Sequence, residues 1–299
     1  MTSVDRINQI TSNTVVIPAR SSYAAIIGLN PSQGARSPKL WNAAFKAFDV
    51  DSRMIALDVS PENLEDLLML LKSDSRFLGG AIAAPHKEAV AQFLGNNLTN
   101  EARLIGSINC LFRDESANLC GTNTDGEGSL TAFESVFGQL TTQTILILGT
   151  GGTGKAVAAY FASAVNDPNQ VILSSRSQSA LKLSKTLKSD VVDWSSISKV
   201  ASEVDIIVNC TSLGSTLAVG GNPLPVEVWS NIRASTIVYD VVYDPDPTPF
   251  LKSASNVGLK NMNGSAMNFE QAVLGFHYAL TRGKKNLDSA LIREAMKSN

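Results

Sequence analysis

Six residues constrain this chain more than any others: Gly149-Thr150-Gly151-Gly152-Thr153-Gly154. They follow the aliphatic run ILILG at 145–149 and open a helical pattern over 152–164, so a buried strand leads through a glycine turn into a helix. Gly149, Gly151, Gly152 and Gly154 let backbone N–H groups approach a pyrophosphate, whose charge then lies against the positive end of the helix. The runs at 171–175 (VILSS), 205–210 (DIIVNC) and 236–243 (TIVYDVVY) read as further strands, which predicts a doubly wound parallel sheet. GTGGTGKA at 149–156 also approaches the phosphate loop G-x-x-x-x-G-K-[ST]. Ala156 stands where that loop needs a Mg²⁺-binding hydroxyl, which argues against a nucleoside triphosphatase.

The N-terminal part repeats the strand–helix alternation. Runs at 23–29, 53–59 and 78–84 read as buried strands, and 37–48 and 61–72 as helices. Pro38 after Ser37 and Pro61 after Ser60 suit a first helical turn behind a capping serine. The segments 108–113 and 118–122 read as a hairpin on which Cys110 and Cys120 could face each other, although buried small thiols are the favoured reading of all three cysteines. Helical periodicity returns at 265–282 and 287–297, and 216–225 is the most loop-like stretch. The expected class is therefore α/β, with two domains.

Composition narrows the partners. In 299 residues, 25 Lys+Arg balance 27 Asp+Glu, so no basic surface is available for nucleic acid or an anionic membrane. No apolar stretch reaches the ~20 residues of a membrane span. The first fourteen residues have neither a basic start nor an apolar core, so a cytoplasmic location is expected. Three cysteines and two histidines (His86, His277) fit neither a disulfide framework nor a zinc site, so no metal is expected.

Cofactor choice is read at the end of the second nucleotide-domain strand. The chain there reads Ser174-Ser175-Arg176-Ser177, with no carboxylate for a ribose 2′-hydroxyl. An arginine flanked by hydroxyls suits a 2′-phosphate, which favours NADP over NAD. In the first domain Lys87, in Pro85-His86-Lys87, follows a strand, and Asp125 lies in GTNTDGEG before a helix. Both fall on loops at strand ends, where α/β proteins place ligands. A lysine beside a carboxylate can donate a proton to a carbonyl under reduction. Either residue alone is also the pattern of an ordinary surface charge.

Together these residues resemble the shikimate/quinate dehydrogenases over nearly the whole chain. The matching stretches are SPKLWN at 37–42, PHK at 85–87, GSIN at 106–109, GTNTDGEG at 121–128 and GTGGTGKA at 149–156. They continue with SSRS at 174–177, NCTSLG at 209–214, DVVYDPDPTPFL at 240–251 and GSAMNFEQA at 264–272. The resemblance implies a substrate domain (1–125 and 265–299), a Rossmann-type NADP domain (126–264) and a cleft between them. It implies that Lys87 is the catalytic lysine and Asp125 its carboxylate partner, with Asn109 and Gln271 as ligands of ring hydroxyls. Ser37 matches a carboxylate-binding serine, and Tyr243 lies near the cleft. Asn209, Thr211, Gly264 and Met267 join Ser175, Arg176, Ser177 and the four loop glycines on the cofactor side.

Two stretches depart from the family pattern. Its H-S-x-S-P reads Gly34-Ala35-Arg36-Ser37-Pro38, and its N-V-T-x-P-x-K reads Ala81-Ile82-Ala83-Ala84-Pro85-His86-Lys87. Each lost hydrogen bond costs about 1–3 kcal/mol. Arg36 is the candidate replacement for the missing serine, and His86 for another polar contact. The activity implied is reversible hydride transfer between NADP(H) and a ring hydroxyl or carbonyl of shikimate, 3-dehydroshikimate or a related cyclic hydroxy acid. The alternatives are quinate or another ring acid as substrate, or a non-catalytic sensor of NADP or a metabolite. The expected assembly is a monomer or homodimer.

Overall fold

The computed structural model describes the chain apart from residues 1–2, 18–20, 217, 219–220, 284–286 and 299, so part of the loop expected at 216–225 lies outside the described residues. The chain forms two compact units, Met1–Thr124 with Gln271–Asn299, and Asp125–Glu270.

In the first unit the strands are β1 (Ser22–Gly28), β2 (Ser52–Asp58), β3 (Phe77–Ile82), β4 (Cys110–Arg113) and β5 (Leu119–Thr122). The sheet order is β2-β1-β3-β4-β5. β1 runs parallel to β2 and β3, while β4 and β5 turn back antiparallel. Its helices are α1 (Ser3–Ile10), α2 (Ser37–Ala47), α3 (Leu64–Ser73), α4 (Lys87–Leu94) and α5 (Asn100–Ile105). α3 buries Leu64, Leu67, Leu68 and Leu71 in one core with Tyr23, Ala25 and Ile27 of β1. Each such leucine contributes about 1.5–3 kcal/mol. Trp41 and Phe45 of α2 close on Phe276, with ring centroids 5.3 and 5.0 Å away.

The second unit begins with α6 (Asp125–Phe137), β6 (Ile145–Leu148), α7 (Gly152–Ala164), β7 (Val171–Ser174) and α8 (Ser179–Leu187). It continues through β8 (Asp190–Val191), α9 (Ile197–Ala201), β9 (Ile206–Asn209), β10 (Ile237–Asp240), α10 (Pro249–Asn256) and β11 (Lys260–Met262). The residues of α11 (Ser265–Thr281) are divided between the units, and α12 (Ser289–Lys297) belongs to the first unit. The sheet is wholly parallel in the order β11-β10-β9-β6-β7-β8. Apolar clusters cover both of its faces, which is why β6 and β9 are buried at every residue. The strand order reverses between β6 and β9, the place where sheets of this kind bind ligands.

Four local expectations are corrected. Cys110 lies opposite Thr122, and Cys120 opposite Phe112, so the two thiols do not face each other across the hairpin. Ser37 is the first helical residue of α2 rather than its cap, and no side-chain cap bond is formed there. Lys87 and Asp125 open α4 and α6 instead of lying in loops. The strand expected to reach 243 ends at Asp240, whose own carboxylate takes the Val242 N–H at 3.0 Å and turns the chain. Among the described residues no helix is long and apolar enough to cross a membrane.

Candidate active site

In the first unit the site residues lie at strand ends. β3 runs out through Ala81 and Ala83, both half-buried, to half-buried Lys87 at the start of α4. His86, directly before it, is only 2% exposed, and its Nε2 is 2.9 Å from the Val59 carbonyl oxygen. A carbonyl only accepts, so Nε2 carries the proton. The expectation that His86 supplies a polar contact to substrate is therefore replaced. It clips the lysine-bearing turn to the residue just past β2, where a carbonyl beyond the end of the strand still needs a donor.

Ser37 is buried and Arg36 exposed at the head of α2. The turn ahead of them is anchored by Asp58, which accepts from the Ser32 N–H at 2.9 Å and the Ser32 hydroxyl at 2.5 Å. Ala83 packs beside β1, its N–H donating to the Ile27 carbonyl at 2.8 Å, and a Cβ on Gly28 would lie 3.0 Å from its own. The wall where the family pattern has Asn and Thr is thus formed by two methyl groups.

Asn109 and Gln271 form one assembly. The Asn109 Nδ2 donates to Gln271 Oε1 at 3.3 Å and to the Thr124 hydroxyl at 3.0 Å. Its Oδ1 accepts the Thr124 backbone N–H at 2.7 Å. The Thr124 hydroxyl in turn lies 3.1 Å from the Gln271 carbonyl. The Gln271 side-chain oxygen thus accepts from Asn109, and its Nε2 is a donor by chemistry. Sequence reasoning missed Thr124, because a threonine at a strand end announces no chemistry of its own. Only the neighbouring Asp125 marks the segment.

In the second unit the glycine loop fits a dinucleotide by subtraction. Gly154 closes on the loop so tightly that a Cβ there would collide with the Gly149 carbonyl oxygen. Gly149 has φ +95° and abuts Thr211, where a Cβ would meet Cγ2 at 2.8 Å. Gly151 precedes Gly152, the first residue of α7. Gly264 approaches the Val241 carbonyl just as closely. This close backbone approach leaves N–H groups, not side chains, to face a phosphate.

Asn209 is fully buried and serves as a fastener. Its Oδ1 accepts from the Thr211 N–H and hydroxyl at 3.0 and 2.7 Å, and its Nδ2 donates to Asp240 at 2.9 Å. Asp240 also accepts the Thr248 hydroxyl at 2.7 Å. Burial raises this carboxyl to about 6 against the pull of its donors from Thr248, Val242 and Asn209. Tyr243 follows in the same loop, partly exposed. Met267 is 5% exposed and packs in an apolar cluster with Tyr239.

At the end of β7, Arg176 is exposed with its guanidinium 5.8 Å from the Trp194 ring centroid. A row of hydroxyls runs beside it: Ser175 to Ser177 at 3.2 Å, Ser177 to Ser179 at 2.6 Å, and Ser179 to Thr150 at 2.5 Å. One cation with several hydroxyl donors is the chemistry a phosphate monoester requires. The residues present therefore fit NADP. Asp125 is 4% exposed, and its Oδ2 accepts the Thr153 hydroxyl at 3.0 Å. Among the described residues no three His, Cys, Asp or Glu side chains are grouped as a metal would need.

Comparison with known proteins supplies the family. The profile of the shikimate dehydrogenase substrate binding domain matches residues 26–111, and that of shikimate / quinate 5-dehydrogenase matches residues 131–223. A shikimate dehydrogenase (NADP(+)) of Caldanaerobacter subterraneus subsp. tengcongensis is 31% identical over 267 residues, spanning 87% of this chain and 92% of that protein. A shikimate dehydrogenase solved in complex with NADP+ aligns with a TM-score of 0.79 at 26% identity, covering 95% of this chain and 97% of that one. The Thermus thermophilus shikimate 5-dehydrogenase in complex with NADP(H) and shikimate aligns with a TM-score of 0.76 at 29% identity, covering 93% of this chain and 99% of that one. The chain belongs to the shikimate dehydrogenase family, and its class is that of oxidoreductases acting on CH–OH.

Proposed function

We propose that this chain catalyses the NADP-dependent, reversible interconversion of a ring hydroxyl and a ring carbonyl in shikimate, 3-dehydroshikimate or a closely related cyclic hydroxy acid. The observation that carries the reading is the Asn109–Thr124–Gln271 assembly, an oriented pair of amides suited to ring hydroxyls, in a chain that also builds a dinucleotide loop. Bound as NADPH the cofactor would supply the hydride, and bound as NADP+ it would take it up. Lys87 gives a proton to the ring oxygen in the reducing direction and removes it in the oxidising direction. Asp125 accepts a hydrogen bond from a substrate hydroxyl, and Gln271 donates one from Nε2. Ser37 and Arg36 meet the carboxylate, the arginine standing in for the hydroxyl absent at Ala35. Arg176, Ser175 and Ser177 receive the 2′-phosphate.

A screen of NADP reduction and NADPH oxidation over shikimate, quinate and 3-dehydroshikimate tests this. Turnover is expected with NADP and shikimate, and its KM reads the effect of Ala81 and Ala83. Tight NADP binding with no turnover of any ring acid would overturn the proposal.

A further inference from the structure

We propose that Thr153 is a positioning residue for the reaction: from within the dinucleotide loop, its hydroxyl holds the Asp125 carboxylate in the orientation the substrate requires. The inference rests on the reading of Asp125 as a substrate-facing group. Thr153 is the second residue of α7, and its backbone N–H belongs to the turn that faces a phosphate. Its side chain serves a different partner. Oγ1 donates to Asp125 Oδ2 at 3.0 Å, where Asp125 opens α6 at 4% exposure.

A carboxylate at that depth is retained only with hydrogen-bond donors, and a donor to a charged acceptor is among the stronger kinds. Fixing one oxygen stops rotation about the last side-chain torsion and so sets the direction of the other. The contact is a product of close helix packing. At Gly126, next to Asp125, a Cβ would collide with the Tyr160 ring and lie 2.5 Å from the Ala156 carbonyl oxygen, so the absence of a side chain at Gly126 lets α7 pack directly against α6. Ser129, one turn along α6, donates to the Tyr239 hydroxyl of β10 at 3.1 Å and stops the helix from sliding. The hydroxyl and the carboxylate are therefore held by backbone on both sides. Both also lie in first helical turns, where the aligned peptide dipoles favour negative charge.

The test uses the full chain with Thr153→Ala, Thr153→Ser and Asp125→Asn, measuring kcat, the KM of shikimate and direct NADP binding. Thr153→Ala is expected to lower kcat/KM for shikimate about tenfold or more, with NADP affinity held within about twofold. Thr153→Ser restores the hydroxyl and is expected to recover activity to within about threefold of the parent. Adding Thr153→Ala to Asp125→Asn is expected to cost nothing further, because the bond it removes acts only through the carboxylate. Unchanged kcat/KM in Thr153→Ala beside an inactive Asp125→Asn would overturn the role of Thr153 alone. A matching loss of NADP affinity, or no rescue by serine, would also overturn it. Full activity in Asp125→Asn would overturn the reading of Asp125, and the inference with it.

Discussion

Replacing Asp240 by asparagine isolates a buried charge that the fold tolerates in order to tie two loops. Asp240 is fully buried at the end of β10 and accepts from Asn209, Val242 and Thr248 at 2.9, 3.0 and 2.7 Å. Burial outweighs these donors and raises its pKa from 3.8 to about 6. Because the folded value is the higher one, the folded protein holds a proton that the unfolded chain has already released between those two values. Stability from this group is therefore full below the unfolded pKa and is lost as pH rises through about 6. A rise of that size corresponds to about 3 kcal/mol at neutral pH. Asparagine keeps an acceptor for Asn209 and Val242 but turns an amide donor toward the Thr248 hydroxyl, costing about 1–2 kcal/mol at every pH. The assay is urea unfolding of both proteins from about pH 4 to about pH 7.5. The stability of the parent minus that of Asp240→Asn should fall by about 2–2.5 kcal/mol across the range and change sign at about pH 5. A difference that stays constant with pH would refute the reasoning, since it would mean that Asp240 carries no proton unique to the folded state.

Thr124→Val keeps the shape of the side chain and removes the hydroxyl that locks Asn109 to Gln271. The KM for shikimate should rise about tenfold while NADP binding is unaffected, and an unchanged KM would refute the lock. Gly154→Ala forces a methyl onto the Gly149 carbonyl oxygen, so NADP affinity should fall by about tenfold or more, and unchanged affinity would show that the loop is not the cradle. Arg176→Ala should reduce the preference for NADP over NAD about thirtyfold. Trp194→Ala, removing only the ring beneath the guanidinium, should reduce that preference about threefold. Retention of the full preference in Arg176→Ala would rule out its role as the 2′-phosphate reader.

The parts of the fold visible in the sequence are those whose burial is continuous. The helical pattern over 152–164 matches α7 in both bounds, because Gly151 ends the turn before it and Val165 is extended after it. β1, β2 and β3 are apolar enough to be found within a residue or two of their limits. β8 and β11 escape notice because they are two and three residues long, lie at the edges of the sheet and bury no residue completely. At the site, the glycines, Lys87, Asp125 and Arg176 announce chemistry by residue type. Thr124, Thr153 and Asp240 do not, because each works through a partner distant in sequence, such as Gln271 for Thr124. His86 misleads for a related reason, since the Val59 carbonyl that claims it is 27 residues away.

Hydride transfer assisted by Lys87 is the central claim, and following reduced-nicotinamide absorbance in shikimate plus NADP tests it most directly. The parent chain should generate the signal, and Lys87→Ala should generate it about 10²–10⁴ times more slowly with its NADP affinity unchanged. A parent that binds NADP and gives no signal, or a Lys87→Ala variant that reacts at the parental rate, would contradict the account.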